Sequence, residues 1–424
     1  MLVLVTWKTF LVRGGQMNCE IIRLKESIDT FSQFGKSENG GVTRLTLTKP
    51  DIVARNHLIE MMKDIHLQVS IDDLGNIYGI YKGTENLPPI VLGSHGDSVE
   101  KGGRFDGILG VLGAYEVVKT FYENKIRTRH PIVIVNFTNE EGVRFEPAMF
   151  CSGVLAGVYD EDTIFSTKDR KGISFQSALE QSGFKGSAEN RLKEGAAYLE
   201  LHIEQGPVLE VVNNNIGVVE GIVGMCCLEI IVNGKSNHAG TTPMKMRIDP
   251  LMAAAHLIDR LNDSLRQIDE ELVFTIGQFD LSPNLHTVIP HQVKFTLDMR
   301  HHSKDVLKKA KALVEQTFQY VEQKTNCQID QRVLWERETV VFDHTIVHGV
   351  EDSTKTLGYS YQRMYSGAGH DAQFIATMMP TGMIFVPSKD GKSHCEEEYS
   401  SLESCYNGVN VLRQTVLELD QKLN

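Results

Sequence analysis

The chain has 424 residues, 41% of them apolar and 23% charged, an ordinary globular composition, and its 36 glycines and 12 prolines fit neither a collagen-like nor a Pro-rich disordered chain. Lys and Arg number 43 against 55 Asp and Glu, a formal net charge of −12, which argues against general binding to nucleic acid or to anionic membranes. At roughly 150 residues per domain, the length predicts two to three domains.

Residues 1–16, MLVLVTWKTFLVRGGQ, begin apolar, but Lys8 and Arg13 interrupt the run and no small-residue cleavage site follows. They read as an N-terminal tail ahead of a start at Met17 rather than as a signal peptide. From about 76 to 214, short apolar runs alternate with helical patterns: PIVLGSH (89–95) and PIVIVNF (131–137) as strands, GILGVLGAYEVVKTFYEN (107–124) as a helix, and a third strand within AAYLELHIEQ (196–205). Continuous Val/Ile runs in strand–helix–strand order predict a mostly parallel sheet covered on both faces. From about 215 the pattern changes. IGVVEGIVGMCCLEIIVNG alternates like an antiparallel strand pair, followed by a helix over 249–265, strands in LVFTIGQFDL and HQVKFTLDMRH, and a helix near 303–322. α/β character then returns, with a helix near 344–357, the strand GMIFVPS (382–388) and a final helix near 400–421. The expected fold is therefore α/β: one domain in two pieces, 17–214 and 332–424, with a mixed, mostly parallel sheet flanked by helices, interrupted by an inserted α+β sandwich at 215–331.

Seven cysteines, at 19, 151, 226, 227, 327, 395 and 405, form no CxxC pair, so a disulfide framework is not expected and a reducing cytosol is the default location. No apolar run approaches the roughly 18 residues of a membrane helix. GxSxG, Walker A and GxGxxG motifs are absent; the glycines 107, 110 and 113 recur every three residues on a helix, a pattern that close packing against the sheet explains.

The chemistry gathers where strands end. His95 and Asp97, two apart, lie just past the first strand, and Asp106 stands before the helix at 107, where alone it would read as an N-cap. Glu140 and Glu141 follow the second strand, His202 lies in or at the end of the third, and His394 comes shortly after the strand at 382–388. Each signal is weak alone, since a strand histidine is commonly a hydrogen-bonded core residue and adjacent glutamates a solvated pair. Together they place three histidines and several carboxylates at the carboxyl ends of four strands, where ligands bind in open α/β sheets. Imidazole and carboxylate without thiolate suit Zn²⁺, Mn²⁺, Co²⁺ or Ni²⁺. One bridging carboxylate gives a two-metal arrangement, with a neighbouring carboxylate free to take a proton from water.

Seven motifs, GSHGDSVEKGGRFDGILGVL, TNEEGVRF, ELHIEQGPVLE, NHAGTTPMKMRIDP, FTLDMRH, GAGHDA and MIFVPSKDGKSH, occur in an order and spacing that resembles the M20 metallohydrolase family, specifically its amidase/carbamoylase branch. That branch contains N-carbamoyl-L-amino acid hydrolases, allantoate amidohydrolases and β-ureidopropionases. The resemblance implies two divalent metal ions, with His95 and His202 on one, Glu141 and His394 on the other, and Asp106 bridging. It implies Glu140 as the general base, Asp97 as the residue orienting His95, and His238 as the donor to the tetrahedral oxyanion. Arg300 would grip a substrate carboxylate, and Gln205 and His370 would line the pocket around the ureido group. The inserted domain would serve as a lid and as the surface of a homodimer. Two departures stand out: Thr287 occupies the position where the branch usually has asparagine before Val-Ile-Pro, so it is a further candidate substrate contact, and Cys395–Glu396 replaces Ser-Pro after His394.

The activity implied is hydrolysis of a linear C–N bond in a small ureido acid, an N-carbamoyl amino acid, by a metal-bridging hydroxide, releasing ammonia, CO₂ and the L-amino acid. Allantoate, or a dipeptide or N-acyl amino acid, at the same site is the alternative. A binding module that keeps the fold without catalysis is the third reading.

Overall fold

The computed structural model describes residues 18–423, so the expectation about residues 1–16 lies outside the described residues. The chain divides into two compact units, one comprising Met1–Glu220, Phe342–Met364 and His370–Asn424, the other Gly221–Val341 and Tyr365–Gly369.

The larger unit opens with α1 (Ile21–Phe31) and α2 (Lys49–Asp64), then strands β1 (Gln68–Ile71), β2 (Ile77–Tyr81) and β3 (Ile90–His95). Helix α3 (Ile108–Glu123) leads to β4 (Ile132–Phe137). Three short helices, α4 (Phe150–Leu155), α5 (Glu161–Ser166) and α6 (Phe175–Ser182), fill the crossover to β5 (Ala197–Ile203), which α7 (Val208–Val211) and β6 (Ile216–Ile222) follow. Every residue of β3, β4 and β5 is buried. That is the property their unbroken apolar runs predict, since a strand covered on both faces has no solvent side on which to alternate. β3 runs parallel to β4 and to β5. Helix α3 is buried along most of its length. A Cβ on Gly110 would come within 2.5 Å of the Leu201 carbonyl oxygen, so this glycine lets the helix lie directly on β5.

The smaller unit contains β7 (Gly224–Asn233), β8 (Asn237–His238), α8 (Pro250–Leu265), β9 (Val273–Thr275), β10 (Phe279–Ser282), β11 (Val288–Ile289), β12 (Gln292–His301), α9 (Lys304–Thr325), β13 (Gln328–Arg337) and β14 (Val340–Val341). Its antiparallel sheet has the order β10-β12-β7-β13, with β9 also on β12. Asp249 caps α8 by accepting the N–H groups of Leu251 (3.0 Å) and Met252 (3.3 Å), and Pro250 suits the first helical turn. Ala253, Ala254, Leu257, Leu261 and Leu265 then form one apolar stripe that joins Ile230, Val232, Phe295 and Leu297 of the sheet in a single core.

The larger unit resumes with α10 (His344–Thr356), β15 (Tyr361–Ser366), α11 (Ala372–Ile375), β16 (Thr381–Val386) and α12 (Leu402–Lys422). β16 enters the sheet parallel to β5 and antiparallel to β6, giving the order β1-β2-β4-β3-β5-β16-β6. The central strands β4, β3, β5 and β16 are thus mutually parallel, and their carboxyl ends share one edge. The mixed, mostly parallel sheet with helices and a second, antiparallel sheet is the expected α/β architecture.

Two expectations are corrected. The strands within 216–234 do not pair with each other: β6 joins the large sheet through β16, whereas β7 pairs with β12 and β13. Burial on both faces of β6 suits a sheet interior rather than a hairpin arm. LVFTIGQFDL forms two short strands, β9 and β10, separated around Gly277, instead of one.

Candidate metal centre

His95 is the last residue of β3, and His202 the penultimate residue of β5. Glu140 and Glu141 sit three and four residues beyond β4, and His394 lies in the loop after β16, with φ +55°. Parallel strands deliver all four segments to the same edge. Asp106 stands just ahead of α3, but its side chain is no cap: Gly107 is the N-cap residue and α3 has no side-chain cap bond.

Asp106 is the hub. Its Oδ1 lies 3.2 Å from His202 Nε2 and 3.7 Å from His95 Nε2, and its Oδ2 lies 3.3 Å from His394 Nε2. Glu141 Oε2 is 3.4 Å from the same His394 nitrogen, and Glu140 Oε2 is 3.5 Å from His95 Nε2. Two triads result, His95–Asp106–His202 and Asp106–Glu141–His394, each with its potential ligand atoms within 4.8 Å of one another. All are buried or nearly so except His394, which is half exposed.

The electrostatics call for a cation. Burial, together with the charges of Glu141, Asp371 and Asp97, pushes the Glu140 carboxyl well above the usual range, and burial with Asp106 and Asp97 does the same to Glu141. Glu141 Oε1 is buried without a hydrogen-bond partner. Among the described residues, the charged groups within 4 Å of Asp106 and Glu141 are imidazoles, with no Lys or Arg to neutralise them. Burial alone disfavours a charged His202, yet the Asp106 carboxylate lifts it to about 9, so a proton there supplies balance that a divalent cation would supply better. Burial holds His95 below its ordinary value, as it does His370. The residues fit a divalent metal.

Hydrogen bonds aim the rings. His202 Nδ1 lies 2.9 Å from the Ile203 carbonyl, and His95 Nδ1 lies 3.1 Å from the Asp97 carbonyl, so Nε2 of each faces Asp106. The orienting group for His95 is thus the backbone carbonyl of Asp97, whose carboxylate is farther away at 3.8 Å. That carboxylate instead accepts the N–H groups of Glu140 (3.3 Å) and Glu141 (3.4 Å) and the Thr46 hydroxyl (2.9 Å). Gln205, with φ +58°, donates its side-chain amide to Asp106 Oδ2 at 2.8 Å, and its Oε1 is buried without a partner. His370 is buried with its ring 4.5 Å from that of His202.

The other sequence-predicted residues belong to the smaller unit. His238 is exposed on the two-residue strand β8, where its Nδ1 accepts the N–H groups of Gly240 (3.0 Å) and Thr241 (3.1 Å); its Nε2 is therefore the protonated nitrogen. Thr287 is exposed beside it, its carbonyl accepting the Ala239 N–H at 2.9 Å. Arg300, on β12, is held in a two-point grip by Asp298 (3.0 Å twice) and donates to the Gly367 carbonyl (2.9 Å).

Several residues around the centre escaped the sequence reading. Glu200, fully buried inside β5, accepts from the Ser94 hydroxyl (2.6 Å), the Tyr198 hydroxyl (3.0 Å) and the Ala372 N–H (3.1 Å). Ser393 and Glu398 meet at the Asp106 loop. The available signal was spacing: Glu200 is two residues before His202 on the same strand face, and Ser393 adjoins His394.

The model of peptidase family M20/M25/M40 matches residues 91–418. The chain is 37% identical over 397 residues to an N-carbamoyl-L-amino-acid amidohydrolase of Rhizobium meliloti, covering 93% of this chain and 95% of the relative. It is 34% identical to an allantoate amidohydrolase of Bacillus subtilis, covering 93% and 97%. Its fold superposes with a TM-score of 0.91 on an amidase of the hydantoinase/carbamoylase family from Burkholderia multivorans, at 37% identity and covering 95% and 98% of the two chains. Both in sequence over most of its length and in fold, the chain belongs to peptidase family M20/M25/M40.

Proposed function

We propose that this protein is a hydrolase of non-peptide C–N bonds, a binuclear metal-dependent amidohydrolase that cleaves an N-carbamoyl amino acid to ammonia, CO₂ and the L-amino acid. The observation that carries the reading is the shared carboxylate: Asp106 turns Oδ1 to His202 at 3.2 Å and Oδ2 to His394 at 3.3 Å. His95, Asp106 and His202 would hold one cation, and Asp106, Glu141 and His394 the other. Zn²⁺, Mn²⁺, Co²⁺ and Ni²⁺ all suit this donor set. Bound there, such ions polarise a ureido carbonyl and acidify water.

Glu140 is outside both triads and close to them, so it is the group free to move protons. It takes a proton from the attacking water as the O–C bond forms. It returns that proton to the departing nitrogen as the C–N bond breaks, releasing ammonia. The carbamate that remains loses CO₂ to give the amino acid. His238 presents a protonated Nε2 suited to a developing oxyanion, and the Arg300 guanidinium suits a carboxylate of the substrate. A second reading keeps the site and takes allantoate. Thr287, exposed beside the His238 turn, offers one hydroxyl where the amidase/carbamoylase branch, allantoate amidohydrolases included, usually has an amide, so it changes the polar contact offered to either substrate.

A homodimer through the smaller unit is part of the proposal: β13 is an edge strand that exposes Val333, Leu334 and Trp335. A monomer in sedimentation analysis would contradict it. A reducing cytosol suits the seven free thiols.

The test is a panel of N-carbamoyl amino acids, allantoate and dipeptides offered to metal-reconstituted protein, with ammonia and amine release measured. N-carbamoyl-L-amino acids are expected to turn over fastest. A preference for dipeptides overturns the proposal.

A further inference from the structure

The acidic run after His394 contains one buried member. Glu398 is 3% exposed, whereas Glu396 and Glu397 are not buried. Glu398 Oε1 accepts the backbone N–H of Phe105 at 3.0 Å and of Asp106 at 3.1 Å. Its Oε2 lies 2.8 Å from the Ser393 hydroxyl, which in turn lies 2.9 Å from Asp106 Oδ2. A Cβ on Gly103 would fall 1.9 Å from the Glu398 carboxyl, so the carboxylate reaches this backbone only because residue 103 has no side chain.

A serine hydroxyl has a single proton. Here two carboxylate oxygens flank it, and the one that receives the proton has less lone-pair density left for a cation. We propose that Glu398 is a positioning residue for metal binding: it fixes the backbone at Asp106 and draws the Ser393 proton to itself, so that Asp106 Oδ2, which already accepts the Gln205 amide at 2.8 Å, keeps its remaining lone pair for the cation on the His394 side. The inference rests on the reading of Asp106, Glu141 and His394 as ligands.

Glu398→Gln isolates the effect. Its amide oxygen still accepts from Phe105 and Asp106, but its NH₂ donates to Ser393 and turns the hydroxyl proton onto Asp106 Oδ2. Metal-free full-length proteins are titrated with Mn²⁺ calorimetrically at pH 8, with circular dichroism checking the fold. Wild type is expected to bind two ions. Glu398→Gln should bind one of them about 10–100-fold more weakly, the usual scale for a partner behind the ligands. Glu398→Gln combined with Ser393→Ala removes the competing proton and should recover most of the loss. Unchanged affinity in Glu398→Gln, or a loss that the double variant does not recover, overturns the inference while two-site binding by wild type leaves the metal reading standing. No Mn²⁺ binding by wild type overturns both. Should Glu398→Gln fail to fold, Ser393→Ala alone decides: binding at least as tight as wild type supports the inference, and weaker binding overturns it.

Discussion

Asp97 holds Glu140 by its backbone, accepting the Glu140 N–H at Oδ1 across 3.3 Å. Its other oxygen takes the Glu141 N–H and the Thr46 hydroxyl, so one carboxylate ties the proposed base and a proposed ligand to the end of β3. Asp97→Asn puts an NH₂ donor against one of these N–H groups at nearly unchanged volume. The expected outcome is a fall of about 10–100-fold in kcat/KM with an unaltered circular dichroism spectrum. Wild-type kinetics would show that the tie does not matter.

Glu140→Gln removes the proton acceptor but neither triad. Turnover should drop about 10²–10⁴-fold while metal content, measured by elemental analysis, stays that of wild type. Parallel loss of metal would instead make Glu140 a ligand.

Thr287→Asn restores the amide usual in the amidase/carbamoylase branch. Substrate preference between N-carbamoyl amino acids and allantoate should shift, with no change in metal content. An unchanged ratio of the two kcat/KM values would mean that residue 287 does not meet substrate.

Away from the centre, Arg363 and the Tyr361 hydroxyl hold the Glu351 carboxyl down at about 2, from its ordinary 4.5. A carboxyl depressed on folding stabilises the protein above about pH 4.5, and that contribution disappears as the pH falls toward 2. Glu351→Gln should therefore lower Tm at pH 7, and its Tm should converge with that of wild type between pH 4.5 and 2. A constant difference down to pH 2 would rule out the ion pair as the cause.

The parallel core of the sheet and the gathering of His95, Asp106, Glu140, Glu141, His202 and His394 were legible because strands buried on both faces leave unbroken apolar runs, with the polar residues displaced to their ends. The partners of β6 and β7 were not legible. Alternation reports which face of a strand is buried, and nothing in it names the neighbour; only the return of the chain as β16 sends β6 to the large sheet. Glu200 and Glu398 were hidden for a related reason. A glutamate in a strand or in an acidic run reads as solvated, and its burial depends on hydroxyls and backbone N–H groups brought from Ser94, Ala372, Phe105 and Asp106, far away in sequence. His238, Thr287 and Arg300 are candidates through motif resemblance alone. The strands that carry His238 and Arg300 have ordinary sheet patterns, and Thr287 lies in the turn before β11.

On the proposed function, two cations share the Asp106 carboxylate. Anomalous X-ray diffraction from crystals of the Mn²⁺-reconstituted protein tests it directly. Two peaks flanking the Asp106 carboxylate, one beside His95 and His202 and one beside Glu141 and His394, are the predicted result. A single peak, or peaks that do not touch Asp106, would contradict the account.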